Sequence, residues 1–187
     1  MADNSFMEPV AWHASLPGVV TTAAGLIHDP AGHVLVVKPN YRDHWSLPGG
    51  ICEFGEAPHA GCAREVAEEI GLSLPVGRLL SIDWQPSSPA YGPAARPVVY
   101  FIFDCGTLPS MSGIRLQADE LDDCTFAPQE ALAGLLPSGV LPRVQAAIAA
   151  RASGCIRYVP LPDADGAAAA REEPDRTNEH HPGGNGH

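Results

Sequence analysis

The sequence predicts one α/β domain. Two runs of β-branched and aliphatic residues lie early in the chain, a helical period follows at residues 58–70, and further strand-like runs occupy the middle. A chain of 187 residues is short enough for a single hydrophobic core. We therefore expect an N-terminal extension over residues 1–18, one domain over residues 19–160 and a separate tail over residues 163–187.

The first two strands are predicted at Val19–Ile27 and Val34–Val37, because both runs are rich in aliphatic and β-branched residues. The segment between them, His28–Gly32, contains Asp, Pro and Gly, which favour a turn. A hairpin is therefore expected here. Later strands are predicted at Arg78–Trp84, Val98–Phe103 and Asp123–Ala127.

One helix is predicted at Pro58–Ile70. Apolar or small residues recur within it at spacings of three and four, and Gly71 follows at the position of a helix C-cap. Two later stretches, Pro128–Leu136 and Leu141–Ala152, also have helical composition. The later of the two is expected to close the domain.

The charge balance excludes one class of ligand. The formal net charge is −11, from 22 acidic and 11 basic residues, and Lys38 is the only lysine. Such a chain lacks the basic surface that grips a nucleic-acid backbone, so long DNA or RNA is not expected as a partner. A small polyanionic substrate would need cations to screen its phosphates.

Cysteine usage and the ends of the chain indicate a cytoplasmic location. The five cysteines are scattered without a CxxC pair, which argues against a disulfide framework and a structural zinc site. The first residues do not resemble a secretory signal, and no apolar run is long enough to span a membrane. Residues 163–187 hold six acids and two arginines with almost nothing to bury, so we expect a disordered acidic tail.

Three carboxylates are grouped on the predicted helix at residues 58–70. Glu65, Glu68 and Glu69 stand at positions i, i+3 and i+4, which places them on one face, opposite the apolar stripe. Hard oxygen ligands of this kind select Mg²⁺, Mn²⁺ or Ca²⁺, and Mg²⁺ commonly bridges carboxylates to substrate phosphates. The alternative is a solvated glutamate face without a ligand.

The surrounding residues carry a family resemblance. Gly50-Ile51-Cys52-Glu53-Phe54-Gly55-Glu56, then seven residues, then Arg64-Glu65-Val66-Ala67-Glu68-Glu69-Ile70-Gly71-Leu72 resembles the Nudix box at nine specified positions across 23 residues. The preceding Trp45–Gly50 segment is also similar to the one that commonly enters this box. The resemblance covers Val19 to about Ala152 and implies an α/β/α sandwich with a mixed β-sheet.

The resemblance also implies a metal site. It assigns Glu68, Glu69 and the Gly49 carbonyl oxygen as ligands of Mg²⁺ (or Mn²⁺), with Glu65 as a further ligand or the general base. In this family the arginine of the box usually orients a box glutamate through a charge-assisted hydrogen bond, so Arg64 is expected to pair with Glu56.

The implied reaction is attack by metal-activated water on one phosphorus of a pyrophosphate group. Family members often take a further glutamate from a loop after the box as base or ligand. Glu120 is our candidate here, and Asp119 and Asp122 are competing candidates.

Substrate contacts are less defined by the sequence. Lys38 and Arg42 precede the glycine loop and are the first candidates for phosphate contacts, followed by Arg96, although each is equally suited to be a surface charge. Three aromatic residues are candidates either for stacking on a base or for the core, namely Trp84, Tyr91 and Phe101.

The resemblance leaves several functions open. A nucleoside triphosphate, including an oxidised one, is the leading expectation for the small-molecule substrate. ADP-ribose, another nucleotide sugar and an isoprenyl diphosphate are alternatives, and a nucleotide-sensing module without catalysis is a further one. The alanine-rich C-terminal helix is a candidate surface for a homodimer.

Overall fold

The computed structural model describes residues 8–87, 92 and 94–159. The strands are β1 (Val20–His28), β2 (Val34–Pro39), β3 (Gly49–Ile51), β4 (Leu79–Gln85), β5 (Val98–Thr107), β6 (Leu121–Ala127) and β7 (Arg157–Val159). The helices are α1 (Pro9–Ser15), α2 (Pro58–Ile70), α3 (Leu132–Leu135), which a 3-10 turn at Gln129–Ala131 precedes, and α4 (Leu141–Ser153). The predicted acidic tail and Tyr91 lie outside the described residues.

The strands form one mixed sheet. Their order is β6-β2-β1-β5-β4-β7, and β3 pairs with β1 beside this path. Strand β1 runs antiparallel to β2 and β3 but parallel to β5, while β4 is antiparallel to β5 and parallel to β7. The predicted α/β class and mixed sheet are therefore confirmed.

Helices α2 and α4 cover opposite faces of this sheet. Because side chains alternate along a strand, Val34 and Val36 of β2 pack in the core cluster that includes α4, whereas Leu35 and Val37 pack in the cluster that includes α2. The two clusters give the α/β/α layering that the resemblance implies.

Element boundaries follow local signals closely in the helices. Helix α2 has the predicted bounds and ends at Gly71, which adopts a left-handed conformation. The stretch predicted as helical at Pro128–Leu136 divides into the 3-10 turn and the short α3, and α3 ends at Leu135 because Leu136 precedes a proline and is extended. Helix α1 and strands β3 and β7 were not predicted.

Two expectations about the chain as a whole can be compared with the structure. All five cysteines are free, as expected for a chain without a disulfide framework. Within the described ranges, the structure contains no helix with the length and apolar character that crossing a bilayer requires.

Candidate active site

The three glutamates of α2 differ in burial. Glu68 is half exposed, with 51% of its side-chain surface accessible, whereas Glu65 retains 16%. Glu69 is only 8% exposed, and its neighbour along the chain, Ile70, belongs to the core. Burial thus distinguishes the three side chains, and Glu69 is the one that the fold encloses, with its carboxylate against β3.

A glycine pair allows the sheet to approach these carboxylates. Gly49 has a φ of 148°, and a Cβ built on it would lie 2.3 Å from the Ala23 carbonyl oxygen of β1. A Cβ on Gly50 would lie 2.5 Å from the Glu65 carboxyl group. The Gly49 amide donates a hydrogen bond of 2.8 Å to Oε2 of Glu69. Gly49 therefore contacts Glu69 through its backbone N–H group.

Arg64 is surrounded by carboxylates. Its Nε and Nη2 donate to the two oxygens of Glu56 at 3.0 Å each, which is a bidentate pair. Its Nη1 donates to Glu65 at 2.8 Å and to Glu68 at 2.9 Å. Arg64 therefore ties the loop before α2 to the carboxylate face of the helix.

The charges in this cluster are unbalanced. Burial is the largest cause that raises the pKa of Glu69 to about 8, and the carboxylates of Glu65, Glu120 and Glu68 contribute to this value against the opposing Gly49 hydrogen bond. Burial also raises the pKa of Glu65. By contrast, the hydrogen bond from Arg64 lowers the pKa of Glu56. One arginine does not neutralise this group of acids.

The oxygen donors of these side chains have the chemistry that a hard cation requires. Among the described residues, no group of three or more His, Cys, Asp or Glu side chains is arranged to hold a metal ion. Nη1 of Arg64 lies between the carboxylates of Glu65 and Glu68. Oxygen ligands with surplus negative charge and one buried carboxylate of raised pKa nevertheless match the chemistry of Mg²⁺ or Mn²⁺.

These carboxylates line a cleft of about 830 Å³. The cleft brings together eight of the candidate residues from the sequence: Arg42, Gly49, Arg64, Glu65, Glu68, Glu69, Phe101 and Glu120. Glu120 stands in the turn before β6, where its carbonyl accepts the Asn40 amide at 2.9 Å. Its competitors Asp119 and Asp122 do not line the cleft.

Only some of the residues predicted to contact the substrate line the cleft. Lys38 lies outside the cleft lining, and its ammonium donates to the carbonyl of Arg42. Phe101 lines the cleft, whereas Trp84 and Arg96 do not. The sequence therefore groups residues that the fold places in different environments.

Two further residues that line the cleft, Arg143 and Tyr100, were missed, as was Asp83, the ion-pair partner of Arg143. Arg143 of α4 lies with its guanidinium carbon 3.6 Å from the ring centroid of Tyr100 on β5, and both residues line the cleft. Its Nε is 3.0 Å from a carboxylate oxygen of Asp83 on β4, and both side chains are buried. Asp83 interrupts the otherwise largely apolar Leu79–Trp84 run, which is the signal that could have revealed a buried ion pair.

Comparisons with known proteins agree on this domain. A family model described as NUDIX domain matches residues 19–146. A MutT-like protein from Streptomyces ambofaciens is 32% identical over 84 residues, which cover 45% of this chain and 49% of that protein. Human diphosphoinositol polyphosphate phosphohydrolase 3-alpha is 40% identical over 69 residues, which cover 37% of this chain and 40% of that protein. The matches thus span half or less of these curated relatives.

A solved structure shows the same fold. The MutT protein from Methanosarcina mazei Go1 superposes with a TM-score of 0.55 at 22% identity, covering 73% of this chain and 95% of that one. At this identity the likeness concerns the fold, and it does not extend to the substrate.

Proposed function

Because this chain belongs to the NUDIX domain family, we propose that it hydrolyses the pyrophosphate bond of a nucleoside diphosphate derivative, with a nucleoside triphosphate, oxidised or not, as the substrate. The observation that carries the proposal is the cluster of Glu65, Glu68, Glu69 and Glu120 on one cleft, with surplus negative charge. A cluster of this kind is unfavourable for stability and becomes favourable when a cation and a phosphate bind.

The proposed ligands of Mg²⁺ (or Mn²⁺) are Glu65, Glu68, Glu69 and the Gly49 carbonyl oxygen. When bound, the cation would supply charge neutralisation for the phosphates and a more acidic water molecule. Binding requires Glu65 and Glu68 to exchange their bonds with Nη1 of Arg64, while the bidentate pair with Glu56 keeps the guanidinium in place. Arg64 and Glu56 therefore act as positioning residues.

The chain itself supplies the proton acceptor. Glu120 lines the cleft and is close enough to Glu65 and Glu69 to raise the pKa of both carboxyls. A carboxylate beside the proposed cation site can accept a proton from the attacking water, which is the task of a general base. Glu120 is our proposed base, and Glu65 is the alternative.

The cleft supports a nucleotide better than a polyphosphorylated inositol. The human relative acts, by its name, on a diphosphoinositol polyphosphate, a ligand with many more phosphates. The arginines that line the cleft are Arg42, Arg64 and Arg143, of which Arg64 is bonded to glutamates and Arg143 is paired with Asp83. A small nucleotide therefore fits the charge balance, while long nucleic acid does not.

The test is release of phosphate or pyrophosphate from a substrate panel. The panel contains nucleoside triphosphates, ADP-ribose, dinucleoside polyphosphates, an inositol pyrophosphate and an isoprenyl diphosphate, each with Mg²⁺, with Mn²⁺ and with EDTA. We expect metal-dependent cleavage of nucleoside triphosphates above the other classes. Cleavage of another class alone would replace the substrate proposal. Binding of nucleotides without cleavage would favour the sensing module.

A further inference from the structure

The cleft continues past the carboxylates onto the sheet face covered by α4. Strand register places Ile51 of β3, Thr22 of β1, Tyr100 of β5 and Asp83 of β4 in one row across the sheet. Tyr100 is therefore two inter-strand spacings from β3, or roughly 10 Å. A ribose and two phosphates of an extended nucleotide span a distance of this order, so a base would reach Tyr100 when the diphosphate lies at α2.

We propose that Arg143 selects a purine base that carries a keto oxygen at position 6, an inference that rests on the proposed function. Asp83 and the Tyr100 ring hold the guanidinium of Arg143 in place for this task. Guanine and hypoxanthine present two acceptors, O6 and N7, on one edge, and the planar fork of an arginine matches this pair. Adenine presents a donor at position 6, which would face an N–H group of the guanidinium. The site would therefore distinguish the bases at one exocyclic atom.

The local charge favours a neutral acceptor over an anion. Asp83 already compensates the charge of Arg143, at 3.0 Å. Valines line the same cleft from β1, β5 and the α4 segment, namely Val20, Val98, Val140 and Val144. These apolar walls suit the faces of a planar base better than a further phosphate or a hydrated sugar.

The arginine is also fixed in place before any ligand binds. Besides Asp83 and the Tyr100 ring, its Nη2 donates to the Gly139 carbonyl at 3.1 Å. The Ser81 hydroxyl donates to the backbone carbonyl of Arg143 at 3.2 Å. A side chain held from several directions loses little freedom on binding, which is the condition for selective recognition.

The purely structural alternative is that the pair only fastens α4 to β4. A buried ion pair is weak evidence for a stabilising role, because desolvation offsets most of its attraction. The matched pair on the same helix is Arg151 with Asp104 of β5, at 3.3 Å, and neither residue lines the cleft. It provides a control with the same residue types.

The first experiment compares ITP with ATP, whose bases differ at position 6, and GTP with 7-deaza-GTP, which lacks the N7 acceptor. We expect kcat/KM to favour ITP over ATP, and GTP over 7-deaza-GTP, by roughly five- to hundredfold, with the difference mainly in KM. Equal values for ITP and ATP would overturn the proposal.

The second experiment repeats the ITP and ATP comparison on the charge-neutral double variant Asp83→Asn/Arg143→Gln, which avoids leaving either charge buried alone. We expect the preference for ITP to disappear while ATP hydrolysis persists. The control, Asp104→Asn/Arg151→Gln, should keep the wild-type preference. If the first variant is folded by circular dichroism and retains the preference, the base is read elsewhere and the proposal is wrong.

If the double variant does not fold, Arg143→Lys replaces it, because lysine keeps the charge without the planar fork. If no triphosphate is hydrolysed with either metal, the proposed function fails, and equilibrium dialysis of ITP and ATP on the wild-type chain then decides the base proposal separately. Preferential binding of ITP would support it, and equal or absent binding would overturn it.

Discussion

The two ends of the cleft differ in their balance of positive and negative side chains. At the α2 end, the three glutamates Glu56, Glu65 and Glu68 share Arg64, and the pKa of buried Glu69 is raised to about 8. At the α4 end, Arg143 meets one carboxylate, that of Asp83, and both are buried. The first end carries a surplus of negative charge, whereas the second is neutral by itself.

This difference separates function from stability. Removing a carboxylate from the α2 end relieves repulsion, so the fold should tolerate the change while activity is lost. Removing one partner at the α4 end leaves a buried charge unpaired, so the fold itself should weaken. The variants below test this contrast, from the largest expected effect to the smallest.

Glu69→Gln should lower kcat/KM by roughly a thousandfold or more, because the side chain is a proposed ligand of a cation that supplies several kcal/mol of transition-state stabilisation. Glutamine can still accept the hydrogen bond from the Gly49 amide, so the thermal midpoint should stay the same or rise. Steady-state kinetics and thermal unfolding measure the two effects.

The control is Glu130→Gln, an exposed position in the 3-10 turn before α3, which should leave both quantities unchanged. Wild-type turnover in Glu69→Gln would remove Glu69 from the proposed site.

Asp83→Asn should destabilise the fold by about 3–5 kcal/mol, because Arg143 keeps its buried charge without a partner. Urea unfolding measures the change, and adding Arg143→Gln should recover much of it. Asp104→Asn, at the more exposed pair with Arg151, should cost less than about 1 kcal/mol. Equal losses at the two pairs would contradict the contrast between the ends.

The same contrast explains what the sequence could predict. The box glutamates and Arg64 lie within six residues on one helix, so helical spacing alone groups them. Asp83, Tyr100 and Arg143 come from two strands and a helix, and only strand register and packing bring them together. That register cannot be derived from a single sequence.

The features that the sequence left open have a similar cause. The burial of Glu69 depends on β3, whose Gly49-Gly50 pair is predicted as a loop until its pairing with β1 is known. The different positions of Lys38 and Arg42 relative to the cleft also depend on tertiary structure, because both stand in the same short stretch of chain. Local motifs were predictable, whereas contacts between distant segments were not.

Metal-free protein should lose stability as the pH rises from 4.5 toward 8. The pKa of Glu69 is about 8 in the fold against 4.5 for the free side chain, so the stabilising protonated form is fully present below pH 4.5 and is lost through this window. We expect a loss of roughly 2–3 kcal/mol, reduced from the single-site value because neighbouring carboxyls titrate together.

Unfolding in EDTA across this range measures the loss, with Glu69→Gln as the reference. Burial lowers the pKa of His28 to about 4, so His28 reduces the stability of the fold as the pH falls below 6.5, which is the opposite direction. Both proteins contain His28, so its contribution cancels in the difference between their stabilities. A parallel pH dependence in the two proteins would contradict the raised pKa of Glu69.

The smallest expected effect distinguishes the two basic residues before the glycine loop. Arg42 lines the cleft and Lys38 does not, so Arg42→Gln should raise KM about three- to fivefold with kcat unchanged, while Lys38→Gln should alter KM less than twofold. The Arg42 effect should shrink with added salt, because an exposed charge acting on phosphate is screened. A larger effect at Lys38, also salt-dependent, would mean that the loop rearranges to bring its ammonium to the phosphates. The electrostatic attraction at the α2 end would then come from a residue that this conformation holds against the Arg42 carbonyl.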